Sequence, residues 1–210
     1  KEYRRQRQMC IRDSIKYDEK THEKLLKDEQ YIDYLNKEII QFTTNAISNE
    51  FPIDDSKSIG LFLKTAGDLE RVGDHAVNIA ERAEKLYSED EHFSDEAMRE
   101  IKIMNDLTRN ILEELNVLNR DELHNIVEKV DVIEDSIDIT THEFSLNQLR
   151  RLRDKKCTPE HSALYTETLI DFERIGDHGL NIAVAFDEIK DDLTAVSYTH
   201  LRAHETVLDL

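Results

Sequence analysis

Two thirteen-residue strings carry most of the chemistry this sequence can do. Residues 68–80 read DLERVGDHAVNIA and residues 171–183 read DFERIGDHGLNIA, identical at nine of thirteen positions with conservative changes at the other four. Each string spaces a Glu and an Asp four residues apart: Glu70 and Asp74, then Glu173 and Asp177. On a helix that spacing puts both carboxylates on one face, one turn apart. A second acidic pair at the same spacing precedes each string, Glu29 with Asp33 and Glu134 with Asp138, so that Ile32-Asp33 corresponds to Ile137-Asp138. Like charges one turn apart repel by about 0.3 kcal/mol, and a mid-helix glycine such as Gly73 or Gly176 costs about 1 kcal/mol relative to Ala. Both unfavourable features are kept in both copies. A cation explains that: if Glu29/Asp33 face Glu70/Asp74, and Glu134/Asp138 face Glu173/Asp177, carboxylates from two helices converge on one ion or bridge two.

Other polar residues near the strings have plainer readings. With 46 acidic residues in 210, acidic i,i+4 pairs arise by chance roughly ten times and mostly mark solvated faces; only the repetition sets these four apart. Arg71 and Arg174 are placed to neutralise the stripe by interhelical salt bridges. Asn78 and Asn181 read as hydrogen bonds to a neighbouring helix. His75 and His178 lie at the edge of the core face near Asp68 and Asp171, and read as buried, hydrogen-bonded imidazoles rather than ligands. Cys157 stands alone near a helix start without the His or Asn partners of a nucleophile. A di-iron oxidase wants Glu-x-x-His on its bundle helices, yet Glu89-x-x-His92 and Asp121-x-x-His124 lie far from the repeats. No enzyme is expected.

The elements that must position these residues are helices. Five Gly and two Pro in 210 residues, with 35% charged residues, exclude a β-sandwich, a β-barrel or a Rossmann-type fold. Apolar residues recur at three- and four-residue spacing over five stretches: about 15–48, 57–87, 95–118, 121–153 and 159–190. Asn119 and Asp121 punctuate one boundary. Thr158 as N-cap with Pro159 in the first turn opens the last helix. Leu69, Val72, Ala76, Ile79, Ala80 and Ala83 form the core face of the first string. The repeating unit is a helix, an acidic helix and a motif helix, complete over 95–190; the first unit, 15–88, lacks its opening helix. The fold class is therefore all-α, tandem three-helix bundles built from five long helices.

Charge narrows the partners. Lys plus Arg is 28 against 46 Asp plus Glu, a net charge of −18, which argues against nucleic acid and favours cations or basic protein surfaces. Two cysteines imply no disulfide framework. No run of about 18 apolar residues is long enough to span a membrane. The ends look foreign: residues 6–14 (QRQMCIRDS) and 197–210 (SYTHLRAHETVLDL) resemble translated sequencing-adaptor read-through. Residues 1–14 and 196–210 are accordingly expected to be non-native, with native sequence from about Ile15 to about Ala195 and a protein extending beyond both.

The strings DLERVGDHAVNIAE and DFERIGDHGLNIA resemble the signature of the PhoU domain family. The segment RLRDKKCTPEHSALYTETLIDFERIGDHGLNIA is similar to the PhoU-like cytoplasmic tail of bacterial sodium/phosphate cotransporter family proteins. The resemblance covers nearly all of 20–190 and implies tandem three-helix bundles, surface metal clusters and non-catalytic control of phosphate uptake. The metal positions it implies are Glu70, Asp74, Glu173 and Asp177, with Glu29, Asp33, Glu134 and Asp138 matching less tightly. The metal would be iron, manganese, magnesium or zinc. The implied partner is a membrane phosphate transporter domain, in the same polypeptide or separate, or phosphate-signalling proteins; a homodimer stays open. The implied location is cytoplasmic, tethered to the inner membrane through a missing N-terminal membrane domain. The alternatives are a stand-alone PhoU regulator and a metal-free helical adaptor. Two departures stand out: Gly179 where the first copy has Ala76, and Val184 where the first has Glu81.

Overall fold

The computed structural model describes residues 17–48, 56–116 and 125–208, with side chains over 17–45, 58–116 and 125–189. Among these residues five α-helices follow one another: α1 (Glu19–Ser48), α2 (Ser56–Ser88), α3 (Asp95–Leu115), α4 (Ile126–Arg153) and α5 (Pro159–Leu208). Asn119 and Asp121 fall outside the described residues. So does all of the expected non-native N-terminal segment, residues 1–14.

Local chemistry sets the helix ends. Ser94 caps α3, its hydroxyl accepting from the Ala97 N–H at 3.2 Å. Thr158 caps α5 in the same way, accepting from the His161 N–H at 3.1 Å, with Pro159 at the first helical position, where its missing N–H has no intrahelical partner to lose. α3 stops at Asn116, whose N–H bonds back to the Glu113 carbonyl. α4 begins at Ile126 rather than 121, because Asn125 adopts a left-handed conformation (φ 63°). Asn tolerates that better than most residues. The α5 backbone continues to Leu208, well past residue 190, because no Gly or Pro interrupts the sequence there.

Neighbouring helices run antiparallel where short connections join them. α1 packs on α2, α3 on α4, and α4 on α5, while α2 and α5 form the joint between the two repeats. α3, α4 and α5 enclose a core of Met104, Ile111, Ile126, Val130, Ile137, Tyr165, Leu169 and Phe172.

The two repeats differ in what covers the motif helix. Tyr165 and Phe172 are 0% and 4% exposed beneath α3, whereas their counterparts Phe62 and Leu69 are 52% and 45% exposed. Leu69 thus departs from the expected core face, because among the described residues no helix occupies the α3 position against α2. Gly179 has the same origin. A Cβ there would collide with Ile111 Cγ2 of α3, so the departure from Ala76 is a requirement of close packing rather than a weakness of the helix.

Candidate metal centre

Each acidic helix crosses its motif helix at the repeated glycine, tightly at Gly176 and with ordinary van der Waals room at Gly73. A Cβ on Gly73 would meet Ile32 Cδ1 at 3.7 Å and Glu29 Cγ at 3.9 Å; one on Gly176 would meet Ile137 Cδ1 at 3.1 Å and Glu134 Cγ at 3.8 Å. The same Ile and Glu therefore lie over the same Gly in both repeats. The acidic pairs face one another as their spacing demands.

In the second repeat the carboxylates converge. Glu134 and Asp138 from α4 and Asp177 from α5 each offer an oxygen, and these oxygens lie within 4.8 Å of one another. Burial pushes the Glu134 carboxyl up to about 7, helped by the charges of Asp138, Asp177, Asp135 and Asp131. Glu173, one turn before Asp177, is also raised, by burial first and then by Asp177 and Asp138. It borders the cluster without joining the converging three. Arg174 approaches Asp177 at 3.3 Å along its own helix, so the expected neutralising arginine acts within α5 rather than between helices.

The first repeat is looser. Glu70 is raised by burial and by Asp74, Asp33 and Glu29, so all four acids share one field. No three of them bring ligand atoms together as Glu134, Asp138 and Asp177 do. Lys37 reaches Asp33 at 2.6 Å and supplies a built-in positive charge, where the second repeat has His142 at the matching position. Lys37 escaped the sequence reading, although it stands one turn after Asp33, the spacing of a helical ion pair.

The donor set of the second repeat fits a hard cation. Three carboxylate oxygens at the surface suit six-coordinate ions that keep several waters. A proton on Glu134 does in part what a cation would do fully: it relieves the repulsion. Val184 in place of the closing Glu leaves this cluster no further acid from that position.

The histidines lie elsewhere. His75 Nδ1 is 2.7 Å from Asp171 Oδ1, and His178 Nδ1 is 2.9 Å from Asp68 Oδ1. The imidazoles are hydrogen-bonded as expected, but each to the Asp of the other repeat. Their rings stack at 5.7 Å on the α2–α5 joint. Asn78 also donates to Asp171, at 3.4 Å, and Arg82 pairs with the same carboxylate. The Arg82 position in the second repeat is Ala185, and Asp68 Oδ2 is buried without a hydrogen-bond partner.

These features define a class: a duplicated helical-bundle protein whose repeats are locked by swapped Asp–His pairs and present acidic faces outward. Residues 6–83 match the family model described as PhoU domain. It is similar to the phosphate-specific transport system accessory protein PhoU homolog 1 of Thermotoga maritima, 29% identical over 76% of this chain and 68% of that one. The PhoU homolog of Clostridium acetobutylicum is 26% identical over 82% of this chain and 78% of that one. Among solved structures, the phosphate transport system regulatory protein PhoU from Streptococcus pneumoniae superposes with a TM-score of 0.66 at 18% identity, over 83% of this chain and 81% of that one. PhoU from Pseudomonas aeruginosa gives 0.63 at 19% identity, over 82% of each chain. The chain has the PhoU helical-bundle fold.

Proposed function

We propose that this protein is a PhoU-type regulator of phosphate uptake, non-catalytic, that binds a divalent or trivalent metal ion in its second repeat through Glu134, Asp138 and Asp177. Glu173 would assist, and Glu29, Asp33, Glu70 and Asp74 would form a weaker site. The observation that carries the metal part is the convergence of three carboxylates from two helices at the duplicated motif. The regulatory part rests on the PhoU domain match and on relatives named as accessory proteins of phosphate-specific transport. Those names favour a separate accessory protein over a cotransporter tail. No helix among the described residues is long and apolar enough to cross a membrane. The acidic surface suits a basic face on a phosphate transport component, since opposite charge steers association.

The test is co-purification from the native host grown at high and low phosphate, with metal analysis of the recovered protein. The reading expects transport-system components in the eluate and their loss when Glu134, Asp138 and Asp177 are changed to amides. Recovery of the same components by the metal-free triple variant would leave a metal-independent helical adaptor instead.

A further inference from the structure

The second repeat ends in chemistry the first does not have. Residues 150–156 read RRLRDKK, five cations and one acid, in a chain of net charge −18. The matching residues of the first repeat, 45–51, read NAISNEF and hold no cation.

The run closes one end of a groove of about 520 Å³ lined by residues of α3, α4 and the turn after α4, among them Glu96, Arg99, Asn147, Arg150, Arg151 and Lys156. Its floor is a buried polar network. Arg151 donates to Glu100 at 2.7 Å and to Gln148 at 2.8 Å, Tyr165 donates to Glu100 at 2.5 Å, and Asn147 donates to the other Glu100 oxygen at 3.0 Å. The Arg151 guanidinium also stacks over the Tyr165 ring at 4.9 Å. Burial and the Glu100 hydrogen bond hold the Tyr165 hydroxyl protonated, its pKa well above the ordinary value. In the first repeat Phe62 and Ala46 stand at the Tyr165 and Arg151 positions. Phe62 is 52% exposed where Tyr165 is buried beneath α3, so the network belongs to the packing of α3, α4 and α5 in the second repeat alone. These hydrogen bonds fix Glu100 and Arg151 at the floor of the groove.

Above that floor the charges do not balance. Arg99 and Lys156 have no ion-pair partner among the described residues, and Arg150 donates only to Asn147, at 3.0 Å. Against them stands one unpaired carboxylate of the lining, Glu96; Glu100 is held by Arg151 and Asp154 by Arg153. Two guanidinium forks and an ammonium lining one groove suit a tetrahedral oxyanion. Elsewhere the −18 charge repels anions, so any anion that binds must do so at such a local reversal.

We infer that this groove binds a phosphate group, free or on a phosphorylated small molecule or headgroup, through Arg99, Arg150 and Lys156. The site is separate from the carboxylates and needs no metal.

The experiment is a titration of the protein with inorganic phosphate, followed by calorimetry and amide NMR, in chelator and constant chloride. A parallel arm measures sedimentation with phosphatidylglycerol vesicles. Saturable binding that perturbs residues 96–103 and 147–158, and weakens at least tenfold in Arg99→Gln/Arg150→Gln/Lys156→Gln, is expected in one arm or both; the arm that responds identifies free phosphate or headgroup as the source. All three side chains are exposed, so the triple variant should melt as the parent does; Arg150→Glu alone supplies a second variant should it not. Binding in neither arm, equal binding by the triple variant, or binding that appears only when metal replaces chelator would overturn the inference. The last outcome would place the phosphate on the carboxylate-bound metal and leave the proposed metal function standing.

Discussion

Changing Glu134 to Gln should stabilise the metal-free protein at neutral and alkaline pH, the reverse of what removing a stabilising salt-bridge partner does. The Glu134 carboxyl rises from 4.5 to about 7 through burial and four neighbouring aspartates. The folded state therefore holds this proton more tightly than the unfolded state. Glu134's contribution to metal-free stability is most favourable below pH 4.5, falls as pH rises toward about 7, and is flat above. At about 1.4 kcal/mol per pKa unit the full penalty is about 3 kcal/mol. Partial solvent access lowers this to about 1–2 kcal/mol. For a chain of this size that corresponds to a rise in Tm of about 4 °C in the Gln variant. Thermal melts in chelator should show this gain at pH 8 and none at pH 4. Manganese at about 100 times its Kd should then raise the parent by about 2.7 kcal/mol and leave the variant unmoved. The parent's metal affinity should climb through pH 7 as the Glu134 proton is displaced. A variant that melts below the parent at pH 8 in chelator, or that gains as much from manganese, would refute the reasoning.

Asp138→Asn and Asp177→Asn should cut the metal retained per chain, measured by mass spectrometry, while Glu70→Gln and Asp74→Asn leave it nearly unchanged, because the first repeat's carboxylates do not converge and Lys37 already neutralises Asp33. Gly67 has nothing within 4 Å of an added Cβ, so Gly67→Ala should stabilise by about 1 kcal/mol in urea unfolding. Gly179→Ala should instead cost about 1–3 kcal/mol, because the new methyl overlaps Ile111. At the inter-repeat joint, Asp171→Asn should cost about 2 kcal/mol by weakening the acceptor that His75, Asn78 and Arg82 share, with Arg82 keeping only Glu167. Asp68→Asn should cost about 1 kcal/mol, since one of the Asp68 oxygens already lacks a partner.

The repeat, the helical class and the acidic stripes were legible in the sequence because they are local. Breakers are scarce, apolar spacing follows the helical period, and a duplicated thirteen-residue string needs no tertiary contact to be seen. The roles of Thr158 and Pro159 were legible for the same reason, since a cap depends on residues within one turn. Tertiary structure decided which carboxylates converge. Both repeats write Glu-x-x-x-Asp twice, yet only Glu134, Asp138 and Asp177 come together among the described residues, because convergence depends on how deeply two helices approach and on what lies beside them. It decided too that each His pairs with the Asp of the other repeat, a contact spanning 96 or 110 residues. Near-identical strings look interchangeable in one dimension; burial by α3 of one motif helix, and not of the other, made them different in three.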